Sequence, residues 1–432
     1  MYIILKKIWM ILSGLFLGMS LLLFYIHSPN HSLDQTYKIY NFQIILVVLA
    51  VFSLCTAQLG RLILVNISIF CILLIPTAVG LEWAILQQPT RVELIQKQWE
   101  FAKDSEGNVF NRFYYAKQYN NKNPEGKLYP FLSYLDFYDE YGFFSFGDVP
   151  NARIVYCNEG FVVTSLADEM GFRNKSEIHV EDTFQYITVG DSFVHGFCVN
   201  DDQIIGEQIS RKLETKVLNL GLAGTGIHSQ FAILKTLDEN TLRGKKVLWF
   251  IYEGNDLEDF KRERSLDFET NGPTQQNLRE LKIGLAEKRM ESSKPLKLNF
   301  LPAQRSHILR FTKLRDLLGV DTLVFDRTEE ELVELVHEIA TFGEKHDIAF
   351  GFYIIPTLHR YITSGGAIKY ESVSNLFETA LGELGYRPTL LDSEFKKYEE
   401  PAAFYPRGKT GHLNDSGYAI LVDLVASDEK NR

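Results

Sequence analysis

Residues 184–193 read FQYITVGDSF, and the fold turns on how this stretch is read. Phe184 to Val189 is an apolar run of strand length, rich in aromatic and β-branched residues. Gly190 then permits a sharp turn, which leaves Ser192 just past the strand end with its hydroxyl at the sheet edge. The next regular segment, Gln203–Leu213, places Ile204, Ile205, Ile209 and Leu213 at helical spacing. A strand, a glycine turn and an amphipathic helix make the first β–α unit of a sheet covered on both faces.

The pattern repeats downstream. Val217–Leu220, Val247–Tyr252, Ile348–Ile355 and Thr389–Leu391 read as four more strands, and Ile227–Leu237 as a second helix. Helical patterns at Thr328–Lys345 and Tyr370–Leu384 precede the last two strands, and Ser416–Ala426 closes the chain. The predicted class is therefore α/β, a three-layer doubly wound parallel sheet over 183–432, with a charged insertion at about 258–327. In such sheets the functional site lies beyond the carboxyl ends of the strands. Residues 87–182 lack a long helical period after Phe101. They are dense in Phe and Tyr, with turn signals at Asn123-Pro124-Glu125-Gly126 and Tyr141-Gly142. They read as a small β-rich cap of short strands and loops, whose aromatics serve packing before ligand binding.

The first 86 residues differ in kind. Uncharged apolar runs cover about 8–26, 39–57 and 62–81, each near the length that crosses a ~30 Å hydrocarbon layer. They are expected to form a three-helix membrane anchor; a cleaved signal peptide is disfavoured by the absence of an A-x-A-like site. Lys6, Lys7 and Arg61 fall on one side and Lys38 on the other, which places the C-terminal domain outside the cytoplasm. The expected location is a multi-pass inner membrane with a periplasmic domain. Beyond residue 86 the chain carries 41 basic and 53 acidic residues, a poor match for nucleic acid. Four cysteines in 432 residues exclude a disulfide scaffold, and a Cys157–Cys198 pair stays open.

The chemistry-bearing residues sit in the loops after successive strands. Gly190-Asp191-Ser192 follows the first, and the second leads through Asn219 and Gly221 to Gly224-Thr225-Gly226. Gly254-Asn255-Asp256 follows the third, and Gly411-His412 stands before the last helix. A serine needs a base, and His412 is the only histidine after the fifth strand. Gly224, without a Cβ, lets a substrate oxygen approach backbone N–H, and Asn255 offers an amide donor. The glycines after the second strand do not match the G-x-G-x-x-G dinucleotide fingerprint, so no cofactor is expected. No His/Cys cluster has metal-ligand spacing, and no metal is expected either.

Taken in order, these four blocks resemble the SGNH, or GDSL-like, hydrolase superfamily over about Thr183 to Ala426. The resemblance implies a flavodoxin-like SGNH fold with Ser192 as nucleophile and His412 as base. It further implies an oxyanion hole formed by Ser192 N–H, Gly224 N–H and Asn255, with Asp191 and Asp256 in support. Gly171-Phe172-Arg173-Asn174 resembles a segment found ahead of this domain in membrane-linked bacterial members. The family usually places an Asp two or three residues before the histidine, where this chain has Thr410 and Lys409. His195 and His228 read as loop histidines rather than catalytic ones. The implied activity is ester hydrolysis or acyl transfer through an acyl-enzyme, on an acyl ester that a surface polysaccharide would carry. The alternatives are a catalytically idle SGNH domain that binds carbohydrate or serves as a scaffold, and a phospholipid esterase.

Overall fold

The computed structural model describes residues 110–431 except 159–161, 176–177, 179–183, 265, 267, 269–274, 296–327, 363–365 and 407–410, together with 4 and 7–11. The chain divides into two compact units, Met1–Gln87 with Pro302–Leu314, and Gln88–Leu301 with Arg315–Arg432. The three expected membrane spans lie outside the described residues apart from 8–11. Among the described residues no helix is long and apolar enough to cross a membrane. The second unit carries both the cap and the parallel sheet.

Its elements, in chain order, begin with α1 (Arg112–Lys122), β1 (Leu128–Pro130), α2 (Tyr134–Tyr141), β2 (Arg153–Asn158) and β3 (Val162–Leu166). The larger layer comes next, with β4 (Phe184–Gly190), α3 (Ser192–His195), α4 (Ile205–Leu213), β5 (Lys216–Asn219), α5 (Ile227–Leu234), β6 (Lys246–Tyr252) and α6 (Asp256–Glu263). Helix α7 (Gln275–Ser292) precedes α8 (Thr328–His346), β7 (Ala349–Ile355), α9 (Gly366–Gly382), β8 (Thr389–Leu390) and α10 (Asp415–Asn431).

Strands β4 to β8 form one sheet in the order β5-β4-β6-β7-β8, every pair parallel. The first strand therefore lies between the second and the third, which is the 2-1-3-4-5 order of a doubly wound sheet. Both faces are covered, as the side-chain alternation of β6 shows. Val247, Trp249 and Ile251 pack into one core with residues of α5, α8 and α9. Leu248 and Phe250 pack into the other, with α4 and α10. The chain reverses its direction of winding between β4 and β6, and the crevice there is where such sheets place ligands.

The cap departs from expectation. Strands β1, β2 and β3 form the small sheet, but α1 and α2 are helices where loops were expected. Local capping decides both. The Asn111 side chain accepts from the Phe113 and Tyr114 N–H groups, and Ser133 and Asp136 form a reciprocal capping box around α2. The turn signals at Asn123 and Gly142 mark helix C-termini rather than gaps between strands, with Gly142 at φ 76°. Within the insertion, Gln275–Ser292 is a helix where its charge suggested no pattern. Helix α6 already belongs to the third β–α unit, and α7 docks on the cap. There Lys282 Nζ donates to the carbonyls of Phe146, Gly147 and Asp148 at 2.6, 2.9 and 3.2 Å. The charges that masked this helix pair with the cap, as Lys127–Glu287, Lys288–Glu140 and Arg289–Asp136.

Candidate active site

The turn after β4 is set by close packing. A Cβ on Gly190 would lie 2.5 Å from Val194 Cγ2 and 2.7 Å from the Phe250 carbonyl oxygen, so only glycine lets β4 turn this tightly. Asp191 caps α3 by accepting from Phe193 N–H at 2.9 Å, and Ser192 Oγ donates to its other oxygen at 3.3 Å. Tyr418 OH donates to the Phe193 carbonyl at 2.9 Å and ties α10 to the same turn. Burial pushes the Asp191 carboxyl up to about 6, against the pull of Phe193 N–H, His412 and Ser192.

The second loop lies directly on the first. Leu222 N–H donates to the Gly190 carbonyl at 3.1 Å, and a Cβ on Gly221 would meet the His195 nitrogen at 2.3 Å. His195 Nδ1 accepts from Ala223 N–H at 3.2 Å, which puts the proton of the neutral ring on Nε2. Burial, with the nearby charges of Arg173 and His412, holds this imidazole well below the usual histidine range. His195 is thus a brace between α3 and the Gly224 loop. Its Nε2 faces the buried Asp148 carboxylate at 3.8 Å. Gly224 is exposed at φ 82°, with open space where a Cβ would be. His228 stacks on Phe260 at 4.8 Å, and burial pushes it down to about 4.

The third loop carries Asn255 and Asp256. Asp256 is fully buried and accepts from Tyr252 N–H at 2.9 Å; burial and the charge of Asp191 push its carboxyl well up. Asn255 donates through Nδ2 to Asp259 at 2.6 Å. Just before it, Glu253 accepts from Thr357 N–H at 2.7 Å, from Arg360 at 2.5 Å and from Ser374 at 2.7 Å, which locks the ends of β6 and β7 together. The Tyr252 ring packs 4.2 Å from that of Phe193.

His412 arrives from the C-terminal segment. Its ring centre is 4.9 Å from that of Phe193 and 5.5 Å from that of Phe197. Asn414, not Asp415, caps the last helix by accepting from Gly417 N–H at 3.1 Å. Lys409 and Thr410 lie outside the described residues. Ser192, Gly224, Asn255 and His412 are thus each partly or fully exposed around the β4–β6 crevice, while Asp191, Asp256 and His195 are buried behind them.

Several residues of this edge had no structural role that the sequence declared, although Arg173 and Asn174 fall in the Gly171-Phe172-Arg173-Asn174 segment. Arg173, buried, donates to the carbonyls of Gly196 and Val199 and pairs with Asp201, so it grips the loop that follows α3. Asn174 exchanges hydrogen bonds with the backbone of Asn219 at 2.8 Å in each direction. Glu263, also buried, accepts from Tyr134 OH at 2.6 Å and Gly226 N–H at 2.7 Å, linking cap, glycine loop and α6. Only Asp259 was within reach of sequence reasoning, four residues after Asn255 on a helix. Cys198 is disulfide-bonded; the side chain of Cys157 lies outside the described residues.

No protein-family model matches the chain, and no curated protein does. Among solved structures it is similar to a proposed lipolytic protein of the G-D-S-L family from Desulfitobacterium hafniense DCB-2. That similarity has 10% identity and a TM-score of 0.27, and covers 56% of this chain and 97% of the other.

Proposed function

We propose that the chain is a serine-dependent esterase or acyltransferase in which Ser192 forms an acyl-enzyme. The observation that carries this is the arrangement at the crevice. The exits of the three adjacent strands β5, β4 and β6 present Gly224, Ser192 and Asn255, and the His412 ring lies on Phe193 beside the serine. In the proposed reaction Ser192 Oγ attacks the ester carbonyl while His412 takes its proton. The backbone N–H groups of Ser192 and Gly224, with the Asn255 amide, receive the developing negative charge. His412 then returns the proton to the departing alkoxide. Water releases the acyl group in an esterase, and a hydroxyl acceptor takes it in a transferase. By the family resemblance, the ester is one carried on an extracytoplasmic polysaccharide, and the N-terminal apolar runs anchor the domain to the membrane.

A second reading, a catalytically idle domain, is favoured by Lys409 and Thr410 standing where the family has its acid. Intact-protein mass after exposure to a fluorophosphonate separates the two. Wild type should gain one phosphonyl group and Ser192→Ala none. A wild type that stays unmodified and fails to hydrolyse p-nitrophenyl acetate would leave the idle reading standing.

A further inference from the structure

The peptide that offers the Gly224 N–H is held at both ends. On its N-terminal side Ala223 N–H is fixed by His195 Nδ1 at 3.2 Å. On its C-terminal side the Gly224 carbonyl accepts from Arg262 Nη2 at 3.2 Å. Between them lies one peptide plane, Ala223 C=O to Gly224 N–H, and Gly224 is at φ 82°, a conformation that glycine adopts without the strain other residues meet. A glycine in that region presents its N–H in a fixed direction only if its neighbours are pinned.

The same arginine reaches the other donor. Arg262 Nη2 pairs with Asp259 Oδ1 at 2.9 Å, and Asp259 Oδ2 accepts from Asn255 Nδ2 at 2.6 Å. A carboxylate against that amide repels its oxygen and attracts its nitrogen, so Asp259 decides which way Asn255 faces. One N–H of Nδ2 is spent on Asp259, and the other is the donor that the oxyanion role requires. Asp259 is nearly buried on α6, one turn after Asn255, whereas about half of the Arg262 side chain is exposed. Close approach of the glycine loop to α6 makes the bridge possible: a Cβ on Gly226 would lie 2.6 Å from the Phe260 nitrogen.

We infer that Asp259 and Arg262 are positioning residues whose bridge, Asn255–Asp259–Arg262–Gly224, sets two oxyanion donors from different strand exits in one geometry. This rests on the serine-ester reading of the crevice. Neither side chain need touch the reacting atoms; each acts through a donor.

The test uses the full chain in detergent, with p-nitrophenyl acetate as substrate and a fluorophosphonate as active-site probe. Asp259→Asn and Arg262→Met should each lower kcat by about 10- to 100-fold and leave KM within about twofold, because misplaced donors weaken the transition state more than the bound substrate. The double variant should be no slower than the worse single one, since both break one bridge. Arg262→Lys should recover part of the rate lost in Arg262→Met. Arg262, being half exposed, keeps the test open if Asp259→Asn folds poorly. Wild-type labelling at Ser192 with variants that turn over at the wild-type rate overturns the inference and leaves the serine reading intact. So do single effects that multiply in the double variant. A wild type that is never labelled overturns both.

Discussion

The buried Asp148 carboxylate should make the stability of the domain depend on pH in the direction opposite to an ordinary surface acid. It is fully buried and accepts from Leu132 N–H at 3.3 Å. Burial pushes it from the usual 3.8 up to about 7, despite the attraction of Lys282 and Arg112. A raised folded-state value means that the folded chain binds this proton more tightly than the unfolded one. The contribution is therefore most favourable below about pH 4 and is lost as pH rises towards 7. The whole rise corresponds to about 4 kcal/mol. Asp148→Asn carries no such titration, so the wild-type minus variant difference isolates it. Proteolysis-monitored unfolding in urea between pH 4.5 and 7.5 reads that difference below the Lys282 transition, which burial brings down to about 8. The variant should gain on wild type by several kcal/mol across this range. A difference that is flat with pH, or that favours wild type as pH rises, would refute burial as the dominant influence on this carboxyl.

Other expectations concern the frame around the crevice and the N-terminal apolar runs. Glu253→Gln breaks a buried pair and leaves Arg360 only its longer contact to Asp392 at 3.5 Å, so a loss of about 3 kcal/mol is expected in the same unfolding assay; a loss under about 1 kcal/mol would contradict it. Gly171→Ala should cost at least 1–3 kcal/mol by the strain of its φ alone, because Gly171 sits at φ 93° with its Cβ position 2.3 Å from the Asp148 carbonyl oxygen; an unchanged midpoint would show that the loop yields freely. Three spans with the N-terminus inside predict that a C-terminal alkaline phosphatase fusion is active and a C-terminal cytoplasm-dependent fluorescent fusion is dark. The reverse pattern would reject that topology.

The sheet was legible in the sequence because its strands are buried on both faces and carry unbroken apolar runs such as Val247–Tyr252. The cap was less so. Helix α1, Arg112–Lys122, is mostly polar and buries only Ala116 fully, so no apolar stripe announced it. Its start is declared by one side chain, Asn111, and that of α2 by Ser133 with Asp136. Helix α7 was hidden by charges that look solvated in sequence but pair with the cap in space. At the site, Ser192, Gly224 and Asn255 drew notice in the sequence because each lies in the loop after a strand, and His412 because it is the only histidine after the fifth strand. Of those that hold them in place, Arg173, Glu263 and Asp148 come from distant segments, and Glu253, though beside Asn255, finds its partners Arg360 and Ser374 only in the folded chain.

Under the proposed reaction, Lys409 and Thr410 in place of a carboxylate alter how the imidazole must be handled. An acid before the histidine ordinarily orients the ring and stabilises its protonated form. Here the His412 ring packs against Phe193 and Phe197, which restricts its rotation without any charge. A carboxylate that attracts it electrostatically is Asp191, the residue that also receives the Ser192 hydroxyl proton at 3.3 Å. Under the proposed reaction, an ionised Asp191 favours the imidazolium that forms as Ser192 attacks. It also competes for the serine proton, which must swing from Asp191 to His412 before attack. Both effects require the charge, and both fade as Asp191 takes up its proton near pH 6. Below that pH the imidazolium that forms during attack lacks this counter-charge. Under the proposed reaction, turnover is expected to fall as the pH drops through about 6, with Asp191, a residue of the serine turn itself, supplying the charge that positions 409 and 410 lack.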